Sequence, residues 1–500
     1  MDRLFFAFFS FLLDLPLRME DDEESESPIP SDKLTRPLIL SLVGSSLGFL
    51  QQGYIYFMIN NPFLTQMHVQ TVQKEALGKG TTDIKVLLLL ISLIPLGGLF
   101  GVYLWGCLAD RYGRKSAILI SNGFSIFSSA IMCFDKIFRR IEFTFFARFF
   151  VGIWSGTLSW ATILYILEIS SLNLRGTLVI TLLLFLSWGY ILAEILLRPY
   201  IWGNEENYSF LVSVPAVFAI LSSILLVLSP ESPRFLYLQR NNIEKARQVL
   251  KELRGEDDVE DELEELRQEQ LAESSQKNMT VWQLLHFRSL RWNLITIVVL
   301  VFTVRFVQIP VIIFFIKKSY KTLGMTTGGI PLAGGLIIQL MLLTIIGMVE
   351  PLGRRFLLLN GFLLCSISNI ALFFSLQIKS PVLALISIVL VIFYLLGFVM
   401  GPGSILSVII GELFLQSSRA SAYVIAGIVS FSVNCLVNVL FIMTESYFQF
   451  YYLLISSPFM ILALIYTFRV VPETSGETFE EIQENMAACT SKNCRKIMVE

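Results

Sequence analysis

The chain has 500 residues, 54% of them hydrophobic and 16% charged, with a mean hydropathy of +0.67. That is too apolar for a water-soluble protein of ordinary composition. A formal charge of −2 offers no basic face for nucleic acid, and neither the six scattered Cys nor His68 and His286 show metal-ligand or triad spacing. An enzyme, a metal site and a cofactor site are therefore not expected.

Residues 4–13 (LFFAFFSFLL) are apolar but shorter than the ~20 residues a spanning helix needs, and an acidic run follows where a signal peptide would carry its cleavage site. Residues 1–36 read as an interfacial or disordered leader. Twelve stretches then have spanning length: 37–59, 84–108, 116–134, 141–166, 176–197, 209–229, 292–316, 328–349, 355–376, 382–411, 420–442 and 448–470. Small residues interrupt nearly all of them, as they do packed membrane helices whose backbones approach closely. The spans divide six and six, giving bundles over 37–229 and 292–470, a charged segment over 230–291 and a tail over 471–500. Within the charged segment, Ile243, Ala246, Leu250 and Leu253, then Val259, Leu263 and Leu266, predict two short amphipathic helices separated by Gly255. Their apolar faces need a partner, which the inner mouth of the bundles would supply.

The two halves repeat. Glu168 and Arg175, which close the stretch from Arg148 to Gly176, return 244 residues later as Glu412 and Arg419. Gly113-Arg114-Lys115 returns as Gly353-Arg354-Arg355 after 240 residues, and Pro230-Glu231 as Pro472-Glu473 after 242. Duplicated apolar units point to a transporter whose halves rock about a central site. Asp110, Arg111, Arg114, Glu168, Arg175, Glu350, Arg354, Arg355, Glu412 and Arg419 all fall at span ends on one side. They are expected to form a ring of charges shared by both halves, in a wet vestibule where each exposed pair is worth ~0.2–1 kcal/mol. Basic residues occur in the loops on both sides, so the charge bias does not orient the chain, although an even span number puts both tails on one side.

ADRYGRK (from Ala109), PESPRFL (from Pro230), VEPLGRR (from Val349), GPGSILSVIIGELFLQSSRASA (from Gly401) and VPETSGETFEEI (from Val471) resemble the sugar porter family of the major facilitator superfamily. The likeness is strongest to animal facilitative hexose transporters and runs from Pro37 to about Ile482. It implies an all-α membrane protein of twelve transmembrane helices in two six-helix bundles, with cytoplasmic helices between the halves. It also implies alternating access around a central site, both termini in the cytoplasm and, by analogy with that family, a place in the plasma membrane. The family's cytoplasmic-gate positions fall on Asp110, Arg111, Arg114, Glu168, Arg175, Glu231, Arg234, Glu350, Arg354, Arg355, Glu412, Arg419 and Glu473.

The sugar contacts carry over poorly. The family's span-five glutamine aligns with Leu183, its QQLSGIN with Val304 to Pro310, its span-eight asparagine with Ile338 and its span-ten tryptophan with Ser407; Asn434 alone keeps its identity. The expected substrate-binding set is Arg305, Gln308, Gln339, Ser407 and Asn434. Arg305 has two readings: an ion pair within the protein, with Glu194 the one partner to name, or a cationic contact for an anionic or strongly polar solute. Proton-driven relatives carry an aspartate after the span-one Gly-Tyr, where Gly53-Tyr54 is followed here by Ile55, so downhill transport is expected. The sequence thus points to a facilitative, uncoupled carrier of hexose-like sugars in the lipid bilayer. A carrier of an organic anion or polyol through Arg305, or a non-transporting sugar sensor, remain open alternatives. Nothing in the sequence sets an oligomeric state.

Overall fold

A computed structural model describes residues 34–60, 84–138, 140–171, 174–198, 201–203, 207–274, 279–287, 290–306, 330–378, 380–448, 451–475, 481–482 and 485–486. The apolar leader, Gln308 and Pro310 lie outside the described residues. In a bilayer every backbone N–H and C=O must be satisfied within the chain, and apolar stretches of this length do so as helices. The first half supplies α1 (Arg36–Asn60), α2 (Ile84–Tyr112), α3 (Arg114–Phe138), α4 (Ile141–Ile169) and α5 (Arg175–Leu196), then a sixth span in two pieces, α6 (Tyr208–Ser213) and α7 (Pro215–Leu228). Three helices follow outside the membrane: α8 (Ile243–Arg254), α9 (Glu260–Ser274) and α10 (Val281–His286).

The second half supplies α11 (Arg291–Phe306), α12 (Ile330–Leu352), α13 (Arg354–Gln377), a tenth span split into α14 (Pro381–Met400) and α15 (Ile405–Glu412), then α16 (Gln416–Phe448) and α17 (Tyr451–Val470). Eleven described segments are long and apolar enough to cross a membrane. Helix α11, 16 residues, covers the first part of the stretch 292–316. The protein is an integral, multi-pass membrane protein, and among the described residues it contains no strand.

Two local results depart from the span reading. Helices α2 and α3 are joined by Gly113 alone, at φ 100°, and α12 and α13 by Gly353 at φ 79°, so the charged turns are helix ends rather than loops. The tenth span is broken because Pro402 has no N–H to donate and its ring clashes with a preceding turn. The carbonyls freed by the break are recovered locally: Gly403 N donates to Phe398 O at 2.7 Å and Ser404 Oγ to Val399 O at 2.6 Å.

Within the first half α1 packs on α5 backbone to backbone, for a Cβ on Gly53 would run into the Leu186 carbonyl and one on Gly189 into that of Leu50. The halves meet along two seams. In one, α2 lies on α16, with Trp105 edge-on to Tyr423 at 6.4 Å between ring centroids. In the other, α5 lies on α12, where Gln339 Nε2 donates to Leu184 O at 3.5 Å. A buried asparagine knots each bundle. Asn122 Nδ2 donates to Ser222 (3.0 Å) and Ser223 (3.1 Å), while Asn369 Nδ2 donates to Ser456 (2.9 Å) and Ser457 (3.1 Å).

The helices outside the membrane bury the face the pattern marks out, with Ala246, Leu250, Leu253, Val259, Leu263 and Leu266 all buried; Ile243, in the first turn of α8, is exposed instead. Gly255 ends α8 in the left-handed conformation. This layer is tied to both halves. Thr35 Oγ1 donates to Leu253 O at 2.7 Å and Arg254 Nη1 to Ile169 O at 3.0 Å, while Met279 N donates to Ser417 O at 3.1 Å.

Candidate solute path and charged rim

At the rim, the repeated motifs build the same device twice. Glu231 accepts the backbone N–H groups that open α3, from Arg114 at 3.1 Å and Lys115 at 3.0 Å. Glu473 does the same for α13, from Arg354 at 2.7 Å and Arg355 at 3.1 Å. A carboxylate suits this place because the first turn of a helix leaves its N–H groups unpaired and partly positive. Burial pushes the Glu231 carboxyl above the usual carboxylate range, while N–H groups of Lys115 and Ser232 and the nearby Arg114 charge pull the other way.

One turn deeper, Arg114 pairs with Glu168 at 3.0 Å, both side chains fully buried. In the second half Arg354 pairs with Glu412 at 3.2 Å and with Glu350 at 2.7 Å. A hydroxyl completes each carboxylate: Ser232 Oγ donates to Glu168 and Thr474 Oγ1 to Glu412. The cationic residue that follows each arginine caps the end of the bundle's last span, Lys115 Nζ on Ser229 O at 2.6 Å and Arg355 Nη2 on Phe468 O at 2.8 Å.

This differs from a single wet ring. The pairs Arg114–Glu168, Arg354–Glu412 and Arg354–Glu350 each form within one half, and the Arg114–Glu168 pair is dry, so its partners depend on each other: removing one member of a buried pair costs ~3–5 kcal/mol. The physical reason is the one-residue turn, which folds each arginine back beneath its own bundle. Contact across the halves comes from Glu350, whose Oε1 accepts Gly176 N at 3.1 Å, and from Arg175, within electrostatic reach of Glu412. Glu168, Glu412 and Arg419 all act electrostatically on Tyr423, which puts them in one layer with Arg175.

Other expected rim residues sit differently. Asp110 is exposed and feels Arg114 and Glu168 only electrostatically. Arg111 keeps its side chain at the surface while its carbonyl accepts Arg240 Nη2 at 2.8 Å. Arg234 ties the end of the first bundle to α9 through Glu265 at 3.0 Å, and Arg419 Nε donates to Phe414 O at 3.2 Å.

Deeper in the membrane, α5 gives a common depth scale. At about 1.5 Å per residue, Tyr190 lies about 22 Å from Arg175 and Arg305 about 21 Å from Arg291. Both helices start at the charged end, since Asn293 Nδ2 donates to Leu413 O at 2.8 Å beside Glu412. Arg305 and Tyr190 thus share a level, on opposite halves, within electrostatic reach of each other. Arg305 is exposed and enters no ion pair among the described residues, whereas Glu194 pairs with Arg198 at 3.3 Å. Of the two readings for Arg305, the ion pair with Glu194 is not formed among the described residues; Glu194 pairs instead with Arg198, four residues on and just beyond the end of α5. Facing lipid, an arginine at the centre of a span costs ~2.5–3.5 kcal/mol, which favours a polar surrounding for a guanidinium on α11.

Gln339 is buried, and its Oε1 has no hydrogen-bond partner among the described residues. Gln52, which the sequence reading passed over, is in the same state. Its Nε2 donates to Ser159 Oγ at 2.6 Å and Tyr56 Oη at 3.0 Å while its Oε1 has no partner among the described residues. Such acceptors call for a donor, because an unpaired buried polar group costs ~1–3 kcal/mol. Ser407 Oγ donates to Ser404 O within its own turn at 3.0 Å, and Asn434 Oδ1 accepts Asn438 Nδ2 at 3.0 Å. Signals for the missed residues exist: adjacent amides Gln51-Gln52 in an apolar span, and a hydroxyl following each of the repeated glutamates, Ser232 and Thr474.

Two repeated bundles, clasped at one rim and polar between, define a membrane carrier of the major facilitator type. The chain belongs to the family described as Sugar (and other) transporter, which it matches over residues 40–486, and it is a carrier rather than an enzyme. It is 34% identical to the rat "Solute carrier family 2, facilitated glucose transporter member 5" over 475 residues, covering 93% of this chain and 94% of that one. It is 33% identical to the human member 7 over 487 residues, covering 94% of each. Its fold matches the proton:xylose symporter XylE bound to 6-bromo-6-deoxy-D-glucose, with a TM-score of 0.76 at 21% identity over 90% of this chain and 98% of that one. A partially occluded inward-open form of XylE from E. coli matches with a TM-score of 0.69 at 21% identity, over 88% and 99%.

Proposed function

We propose that this protein is a facilitative, uncoupled carrier of hexose-like sugars that works by alternating access. The carrying observation is relatedness over nearly the full chain to proteins named facilitated glucose transporters. In this reading the charged rim is the cytoplasmic gate, both termini are cytoplasmic, and the plasma membrane is the site of action. The gate comprises the two carboxylate-capped arginine clusters, with the Glu350–Gly176 contact as its tie between halves. The solute is held between the halves by Gln52, Gln339, Arg305, Ser407 and Asn434. Ile55, apolar where a proton-driven relative has a carboxylate, supports uncoupled flux.

Labelled glucose and fructose uptake into proteoliposomes tests the reading. Saturable entry that stops at equal concentrations, with or without a pH gradient, is the expected result. Accumulation driven by a proton gradient would overturn the uncoupled mechanism, and no entry of either sugar would overturn the hexose assignment.

A further inference from the structure

Resting on the reading of the space between the halves as the solute site, we propose that this site also takes a sugar-sized polyhydroxy carboxylate, its carboxylate held by Arg305. Three observations meet there. Arg305 is exposed, lies about 21 Å along α11 from its charged end and is unpaired by any carboxylate among the described residues. A permanent guanidinium in that position retains its water or an anion, and it presents a planar fork suited to two carboxylate oxygens. Tyr190, from the opposite half, brings a hydroxyl to the same level; its ring is held edge-on by Phe57 at 6.2 Å between centroids.

The polar groups nearby specify the remainder of the solute. Gln52 and Gln339 each offer a carbonyl oxygen with no partner among the described residues. These accept hydrogen bonds, so they match hydroxyl donors and repel a second anionic group. Gln339 stands beside the Leu184 carbonyl of α5, six residues before Tyr190, and Gln52 adjoins Gly53, which packs on Leu186. The positive group and both acceptors therefore lie within two turns of α5. A solute bearing one carboxylate and several hydroxyls satisfies all three; a neutral hexose leaves the guanidinium without an anion.

Charge gives a readout separate from hexose transport. Uniport of a monovalent anion moves charge, so an inside-positive potential drives accumulation, about tenfold for each about 59 mV, whereas glucose is indifferent to it. The full-length protein in proteoliposomes, given a potassium–valinomycin potential, is tested with labelled D-glucuronate and D-glucose. The expected result is glucuronate uptake that follows the potential and competes with glucose. Arg305→Gln should lower the glucuronate-to-glucose uptake ratio at least tenfold, and Arg305→Lys, which keeps the charge, should retain potential-driven uptake. Thermal unfolding of each variant confirms that it is folded. Glucose uptake without glucuronate uptake or competition overturns this inference and leaves the hexose reading standing. Glucuronate uptake without glucose uptake does the reverse. A ratio unchanged in a folded Arg305→Gln also overturns the role given to Arg305.

Discussion

The two charged clusters occupy equivalent places in the repeat, yet they are not used alike. In the first half Arg114 and Glu168 are completely buried and bond inward, to each other, to Ser232 and to Gln239 at 2.9 Å. In the second half Glu412 is 10% and Glu350 25% exposed, and Glu350 spends one oxygen on the opposite bundle. Its counterpart in the repeat, Asp110, is one methylene shorter and makes no such bond among the described residues. The recipient matters as much. Gly176 is the second residue of α5, so its N–H is spare, whereas Ala420, the residue after Arg419, sits inside α16, which begins at Gln416. A Cβ on Gly176 would also stand 2.8 Å from Glu350 Oε1. One cluster is thus a rivet within its bundle, and the other is a rivet and a catch.

The contrast is broken most directly at Arg114. Arg114→Gln should cost about 3–5 kcal/mol, leaving little folded protein by thermal unfolding in detergent, with Arg354→Gln milder because its partners are partly wet. Equal costs for the two would erase the distinction. Next comes Glu350→Gln, which weakens charge-assisted bonds worth about 1.5–3 kcal/mol. Alkylation of a cysteine placed at Ser407 should then rise about tenfold or more, since about 1.4 kcal/mol is one decade. Asp110→Asn should change the same rate by less than about twofold. The finest test is Ser232→Ala against Thr474→Ala: each removes one hydroxyl bond, about 0.5–1.5 kcal/mol, and the drier Glu168 should feel its loss more.

Much of this was legible beforehand, and the residues explain why. Span length and the repeated Gly113/Gly353, Glu168/Glu412 and Glu231/Glu473 pairs are one-dimensional features that survive without coordinates. The inward bias of the ion pairs was not, because it follows from the single-residue turns at Gly113 and Gly353, which only φ reveals. Likewise the partner of Glu194 depended on helical phase, which places Arg198 one turn away. Gln52 was missed since its importance lies in an oxygen left over after Ser159 and Tyr56 have taken the nitrogen.

The interruption at Gly401-Pro402-Gly403 separates α14 from α15, and α4, its counterpart in the first half, runs unbroken from Ile141 to Ile169. A continuous helix transmits torque along its length; a severed one relays it only through side-chain packing. Glu412 and Ser407 ride on the short lower fragment, so a pull on the rim swings eight residues as a small lever instead of tilting the whole rod. The second half therefore carries a joint where the first half has a strut.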